Sequence, residues 1–541
     1  MDEETGGGGR NTRLRDIGCL GVAWFLCAAP ALAGTYYVAP DGKDDAPGTL
    51  GQPFASLQKG HDVAVAGDTV YLRGGTYAIK GPGADANSGI LITKSGQSDS
   101  KRIYFWAYRN EIPKFDFAGL ALGSVTGAGI RINGSSWLHF KGLEVCNVPQ
   151  PARATNHGIW ANPASNTIFE RLNLHHNKGT GLFIAFGNGG NLVLNCDSHH
   201  NYDPGSSQGN GQNADGFGVH YQKSGLPTVL RGCRAWWNSD DGFDCINQGA
   251  PVVIENCWNS LNGYLPGTLT SAPSGNGNGF KIGGWGNPPV GFPAPVPQHT
   301  VRFCMAFMNK AAGFYQNHHP IANLYYNNTS FGNRSANYNM LGYDLGKAAD
   351  TGMGIFRNNI SFAGTAVSNA GGADASGNSW SIPGLAIAAA DFASIDTAGM
   401  FGPRKEDGGL PDVKCMHLSK DSRLIDKGVQ VGLAFEGREP DLGAFEYGLT
   451  TGVISRYPRR PGAVTGSGYS IAQTGAAVTR NGYAYPARGS GIVSALGQSA
   501  GMRRPGAYGE VVFRKIKPGE TYLADPDPIR PLTGPEADSP E

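Results

Sequence analysis

Five residues stand out for the chemistry that their types and spacing allow: Asp215, Asp240, Asp241, Asp244 and Lys281. They sit in the segments Asp215-Gly216-Phe217, Asp240-Asp241-Gly242-Phe243-Asp244 and Gly279-Phe280-Lys281. Asp215 and Asp241 each precede the glycine; Asp244 and Lys281 each follow it by two residues. If these segments stack, four carboxylates converge and repel one another unless a cation joins them. All are oxygen donors, and no His or Cys stands at zinc spacing beside them. Ca²⁺ therefore suits the set better than a transition metal, and Mg²⁺ usually keeps more of its waters. No 12-residue loop ending in Glu follows, which excludes an EF-hand. A lysine beside such a cation is expected to have a depressed pKa and to act as a general base. The plainer alternatives are a turn with solvated acids and a surface lysine paired with Asp244. A bare turn does not explain Asp215 in the matching position.

The stacking itself is written in a repeat. Asn177, Asn201, Asn238, Asn262, Asn309 and Asn333 are spaced by 24, 37, 24, 47 and 24 residues, one period with two enlargements. A glycine with an apolar or aromatic follower comes after each, from Gly181-Leu182 to Gly313-Phe314, with Asn337-Tyr338 as a degenerate copy. Self-similarity at this period marks a solenoid, whose units bury their apolar faces only against neighbours. The alternation after each glycine reads as one short strand per rung. Phe217/Val219, Phe243/Cys245, Phe280/Ile282 and Phe314/Gln316 are expected to point inward. Gly218/His220, Asp244/Ile246, Lys281/Gly283 and Tyr315/Asn317 are expected outward. With no helical period between strands, the fold class is all-β, a right-handed parallel β-helix. Equivalent positions on successive rungs then lie about 4.8 Å apart. Asparagine forms an amide ladder, and Cys196, Cys233, Cys257 and Cys304 form an inward thiol column. The insertions fall within 201–216, 262–279 and 283–309, flanking the rungs that carry the acids and the lysine, as walls of a groove would.

The termini read differently. Arg10, Arg13 and Arg15 precede an apolar run, Ile17 to Ala29, that ends in Ala31-Leu32-Ala33, a secretory leader with cleavage expected after Ala33. The run is too short for a membrane span, and cleavage leaves seven cysteines in an oxidising compartment, an odd number that cannot all pair. Phe54 to Val65 is expected to be a short helix capping the first rung. Residues 34–447 form the β-helix domain, and 448–541, rich in Gly, Pro and Arg, an irregular and poorly ordered extension. Of the 541 residues 82 are glycine, roughly twice the usual share of about 7%. A net charge of +1 lacks the basic excess of a nucleic-acid binder, and 40% apolar residues exclude general disorder. The chain is expected to be a secreted or periplasmic monomer.

The segments Asn213-Ala214-Asp215-Gly216-Phe217, Asn238-Ser239-Asp240-Asp241-Gly242-Phe243-Asp244 and Gly277-Asn278-Gly279-Phe280-Lys281-Ile282-Gly283-Gly284 resemble those of polysaccharide lyase family 9, the secreted β-helix pectate lyases. Asn201-Tyr202-Asp203-Pro204 and Asp441-Leu442-Gly443-Ala444-Phe445-Glu446 match as well, so the resemblance spans about residues 36–447. It implies a Ca²⁺-dependent lyase acting on pectate or a related acidic polysaccharide. Asp215, Asp240, Asp241 and Asp244 would be the ion's ligands and Lys281 the Brønsted base. Arg231, Arg234 and Arg302 are candidate clamps for substrate carboxylates, Trp285 a candidate sugar platform, and Tyr315 and Asn317 candidate groove linings. The pairs His175-His176, His199-His200 and His318-His319 lack a third ligand at metal spacing. The competing class is a non-catalytic β-helix adhesin or carbohydrate-binding surface protein with a structural Ca²⁺. A glycoside hydrolase would need two carboxyl groups about 5–9 Å apart, whereas these acids cluster.

Overall fold

The computed structural model describes residues 33–448, apart from 124–125 and 152–153, and the backbone of six short strands between Ser470 and Leu523. The expected leader and nearly all of the expected 448–541 extension lie outside the described residues. Three long parallel sheets, of eleven, ten and ten strands, run the length of the solenoid. The first runs from Thr35–Val38 to Ile355–Arg357, the second from Gly75–Pro82 to Ile360–Phe362, and the third from Ser88–Ile92 to Val367–Ser368. Each turn thus carries three strands, where the sequence suggested one. Strands such as Arg234–Trp236 and Trp258–Ser260 lack the Gly-Phe step that marks their third-sheet counterparts of the same length.

The strand that was legible falls in the third sheet, with the expected register. Phe217 pairs with Phe243 and Gly218 with Asp244; Phe243 then pairs with Phe280 and Asp244 with Lys281. The phenylalanines stack inward, ring centroids 5.0 Å apart from Phe217 to Phe243, 4.8 Å to Phe280 and 4.9 Å to Phe314. That column is the spine of a dry core, since residues on one face of a parallel sheet superpose rung upon rung.

Asparagine makes the expected ladder. Asn177, Asn201, Asn238, Asn262 and Asn309 each donate Nδ2 to the Oδ1 of the next ladder asparagine at 2.9–3.1 Å, with all five side chains buried. The same oxygens accept the neighbouring backbone N–H, so one amide satisfies a turn that the sheets leave unpaired. The residue before each ladder asparagine is held at positive φ: His176 at 57°, His200 at 54°, Trp237 at 49°, Leu261 at 58° and Met308 at 54°. This conformation is uncommon outside glycine, and the ladder holds it in place. A Cβ on Gly242 would lie 2.7 Å from the Gly279 carbonyl and 2.8 Å from Asn262 Nδ2, so the repeat glycine is required where the ladder passes beneath it.

The cysteine column is a second ladder. The backbone N–H groups of Leu172, Cys233 and Cys257 donate to the Sγ atoms of Cys196, Cys257 and Cys304 at 3.3–3.5 Å, and Cys304 hands over to Asn328 at 3.0 Å. All seven cysteines of the described residues are buried and unpaired. The capping helix is shorter than expected, Leu57–Val63, started by Ser56 Oγ accepting from Lys59 N. At the other end the chain returns along the outside of the second sheet. Phe401 stacks on Trp236 at 4.6 Å, Arg404 pairs with Asp197, and Phe445 meets Trp258. Glu446 Oε1 accepts from Asp441 N, and Asp441 O accepts from Asn327 Nδ2, which docks the Asp441–Glu446 motif on the last turns. No helix among the described residues is long and apolar enough to cross a membrane.

Candidate active site

The acids sit where the third sheet begins on successive rungs, and ladder bonding fixes one oxygen of several. Asp215 Oδ1 accepts from Asp241 N at 3.2 Å, Asp241 Oδ1 from Asn278 N at 2.5 Å, and Asn278 Oδ1 from Ala312 N at 3.2 Å. The residue before each repeat glycine thus forms a column, Thr180–Asp215–Asp241–Asn278, with Thr180 Oγ1 donating to Asp215 Oδ2 at 3.1 Å. Asp240 Oδ1 accepts from Asn276 N at 2.6 Å. Asn276 lies in an insertion that Lys310 pins by donating to the carbonyls of Ala272 and Gly275.

The remaining carboxylate oxygens are left facing one another. Asp241 Oδ2 and Asp244 Oδ1 are buried without a hydrogen bond. Oxygens of Asp215, Asp240 and Asp241 lie within 4.8 Å of one another, as do ligand atoms of Asp215, His220 and Asp244. Lys281 Nζ lies 3.3 Å from Asp241 Oδ2 and 3.5 Å from Asp244 Oδ2, and His220 Nε2 is 3.5 Å from Asp244 Oδ2. Burial, then the neighbouring acids, pushes the carboxyls of Asp215 and Asp240 well up. Burial also raises Asp241 in spite of Lys281, while Lys281 and His220 outweigh burial to lower Asp244. One lysine against four buried carboxyls is a shortage of positive charge that a divalent cation makes good, and the free oxygens are hard donors of the kind Ca²⁺ takes.

Lys281 responds to whichever charges surround it. From the chain's own groups its pKa is raised: burial opposes the ammonium, but Asp244, Asp241, Asp240 and Asp215 together outweigh it. The depressed value expected from the sequence requires those acids to be engaged by a cation instead.

The structure brings the five named residues together and separates most of the weaker candidates from them. Arg231 and Arg302, the expected clamps, lie away from the third sheet that carries the acids. Both lie on the first sheet and grip Glu255, with Arg231 Nε at 2.5 Å and Arg302 Nε at 2.8 Å. Arg234, on the second sheet, forks onto Asp197 at 2.7–2.8 Å and caps the carbonyls of Met400 and Gly402 under the returning chain. Trp285 is 7% exposed, which leaves its face unavailable as a platform. Asn317 is buried and donates to the Gly283 carbonyl at 3.0 Å. Tyr315, half-buried, pairs in register with Lys281 on the next rung. The histidine pairs are stacks: His175 on His199 at 5.0 Å and His199 on Trp236 at 4.2 Å. His318 pairs with Asp350 and His319 with the Pro297 carbonyl.

His220, Asn278 and Thr180 also touch the acids, without standing out in the sequence for it. Asn278 and Thr180 precede repeat glycines just as Asp215 and Asp241 do, so the column itself carried that signal. His220 stands at an outward position of its own strand, and only three-dimensional proximity ties it to Asp244.

Comparison with known proteins agrees with this architecture. Residues 36–359 match a family model described as "Pel9A-like, right handed beta helix region". Pectate lyase L of Dickeya chrysanthemi is 38% identical over 414 residues, 76% of this chain and 90% of that protein. Pectate lyase PEL9 of Emericella nidulans is 33% identical over 412 residues, covering 71% and 93%. Among solved structures, pectate lyase Pel9A superposes with a TM-score of 0.62 at 34% identity, covering 77% of this chain and 97% of that one. A rhamnogalacturonan lyase superposes with a TM-score of 0.65 at 33% identity, covering 72% and 97%. The chain therefore belongs to the Pel9A-like right-handed β-helix family, the polysaccharide lyase family 9 that its motifs resemble.

Proposed function

We propose that this protein cleaves a 4-linked polyuronate, pectate foremost, by β-elimination, with Asp215, Asp240, Asp241 and Asp244 holding Ca²⁺ and Lys281 as the base. The observation that carries the reading is the ammonium of Lys281 set 3.3 and 3.5 Å from two of those acids, one rung away and in register. A structural ion site needs no such neighbour. Asp215, Asp240, Asp241 and Asp244 would hold the ion, whose charge would offset a uronate carboxylate and the acids that keep Lys281 protonated. The neutral amine then takes the proton from C5, the electron pair forms the C4–C5 double bond, and the C4–O4 bond breaks. Water protonates the departing O4. Tyr315, one rung beyond Lys281, borders the sugar being cleaved. The protein is exported through its leader and works as a monomer on this acidic polysaccharide.

The test is an incubation with polygalacturonate, followed by ultraviolet absorbance of the 4,5-unsaturated product, with Ca²⁺ and with chelator. A signal that chelation removes and Ca²⁺ restores supports the reading. No signal on any polyuronate, with Ca²⁺ binding retained, returns the protein to the carbohydrate-binding class. The similarity to a rhamnogalacturonan lyase makes that alternating backbone the second substrate to assay.

A further inference from the structure

The outward column that holds Asp244 and Lys281 continues beyond them in register, and its earlier members are not ordinary surface. In order toward the first rungs it reads Lys281, Asp244, Gly218, Phe183, Trp160 and Arg131. Phe183, Trp160 and Arg131 are each only partly buried. The Arg131 guanidinium lies over the Trp160 ring, 4.9 Å from its centroid. Phe183 is backed by His157, stacked at 4.6 Å, and touched edge-on by His220 at 4.9 Å. Gly218 lets the Phe183 ring lie over the backbone beside Asp244; a Cβ there would strike Phe183 Cδ2 at 2.6 Å.

Two donors in this column lack partners. Arg131 Nε and Trp160 Nε1 are buried without a hydrogen bond, and no ion pair reaches Arg131 among the described residues. Unsatisfied buried donors are costly, and this guanidinium without a carboxylate contrasts with Arg234, Arg302 and Arg404, which all have one. Aromatic faces offer flat apolar area to the apolar faces of pyranose rings, and a guanidinium fits a carboxylate in a fork.

We propose that Phe183, Trp160 and Arg131 are successive sugar subsites for a polyuronate laid along the solenoid axis, with Arg131 pairing with a uronate carboxylate at the far end. The inference rests on the reading of Lys281 as the point of cleavage. Arg131 lies five rungs from Lys281, about 24 Å at about 4.8 Å per rung. A pyranose unit spans about one rung, so a chain of about six sugars is needed to reach from one to the other. The enzyme thus grips long chains through Arg131 and Trp160, and short ones without them.

The test separates binding from turnover. In a Lys281→Ala background, calorimetry with an octagalacturonate and with a trigalacturonate gives the affinity of each. Arg131→Gln and Trp160→Ala are expected to weaken octamer binding about tenfold and to leave the trimer unchanged. With Lys281 intact they raise KM for polygalacturonate while kcat holds. Trp160→Phe, which keeps the apolar face, is expected to restore most of the loss and guards against an alanine variant that merely misfolds. Equal octamer affinity in Arg131→Gln, Trp160→Ala and their parent overturns the subsites. An octamer-specific loss in those variants while Lys281-containing protein cleaves no polyuronate keeps the subsites and overturns the reading of Lys281.

Discussion

Replacing Asn238 by alanine tests how far the amide ladder supports both the fold and the acids two residues further along. Asn238 Oδ1 accepts from Asn201 N at 3.4 Å and Asn201 Nδ2 at 2.9 Å, and its Nδ2 donates to Asn262 Oδ1 at 3.1 Å and Ser198 O at 3.2 Å. The substitution orphans a buried backbone N–H, at about 1–3 kcal/mol, and removes further side-chain bonds at about 0.5–1.5 kcal/mol each. Together these amount to about 3–5 kcal/mol of destabilisation, against within about 0.5 kcal/mol for an exposed substitution. For about 400 ordered residues that loss lowers Tm by about 4–6 °C. Thermal unfolding followed by far-ultraviolet circular dichroism measures it, with Lys420→Ala as the control, since that side chain is 81% exposed. Because Asn238 anchors the turn that presents Asp240 and Asp241, Ca²⁺ affinity is expected to fall with it. A variant that melts with the control and binds Ca²⁺ like wild type would refute the structural account of the ladder.

Three further outcomes follow from particular side chains. Glu255 is buried, which raises its pKa, but Arg231 and Arg302 overcome this and hold it down to about 2 from 4.5. A depressed acid stabilises the fold above its unfolded pKa, so this contribution, about 3 kcal/mol at most, is complete above pH 4.5 and is lost as pH falls toward 2. Urea unfolding between pH 6 and pH 3 should show wild type losing stability more steeply than Glu255→Gln; parallel curves would contradict it. Arg302→Ala, which leaves that carboxylate to Arg231 alone, is expected to cost about 1.5–3 kcal/mol in unfolding while leaving KM for polygalacturonate unchanged; a raised KM at wild-type stability would return Arg302 to the substrate. Thiol titration of the native protein should find almost none of the seven buried cysteines reactive, all of them after unfolding, and reductant should leave Tm unchanged.

The parts of the fold legible in the sequence are those that repeat one residue type at one position. Asparagine and cysteine columns, and the Gly-Phe step, each occupy a single place in the turn. Stacking preserves that place, so a linear period becomes a vertical line. The same logic brings Asp215, Asp241, Asp244 and Lys281 together. What did not repeat stayed hidden. The strands of the first two sheets carry no Gly-Phe step to mark them, and the partners of Arg231, Arg234 and Arg302 depend on which face is covered. Arg234 looks like a surface residue until residues 400–404 fold back over it through contacts some 166–168 residues away. His220 reaches Asp244 across the sheet, from a place no motif marks.

The central claim is that Lys281, and not another group near the acids, removes the C5 proton. The direct measurement is the initial rate of unsaturated product formation from polygalacturonate by Lys281→Ala at saturating Ca²⁺, with ion affinity measured on the same preparation. The account predicts a rate lower by about 10²–10⁴-fold with the fold intact and Ca²⁺ still bound. A rate near that of wild type would contradict it.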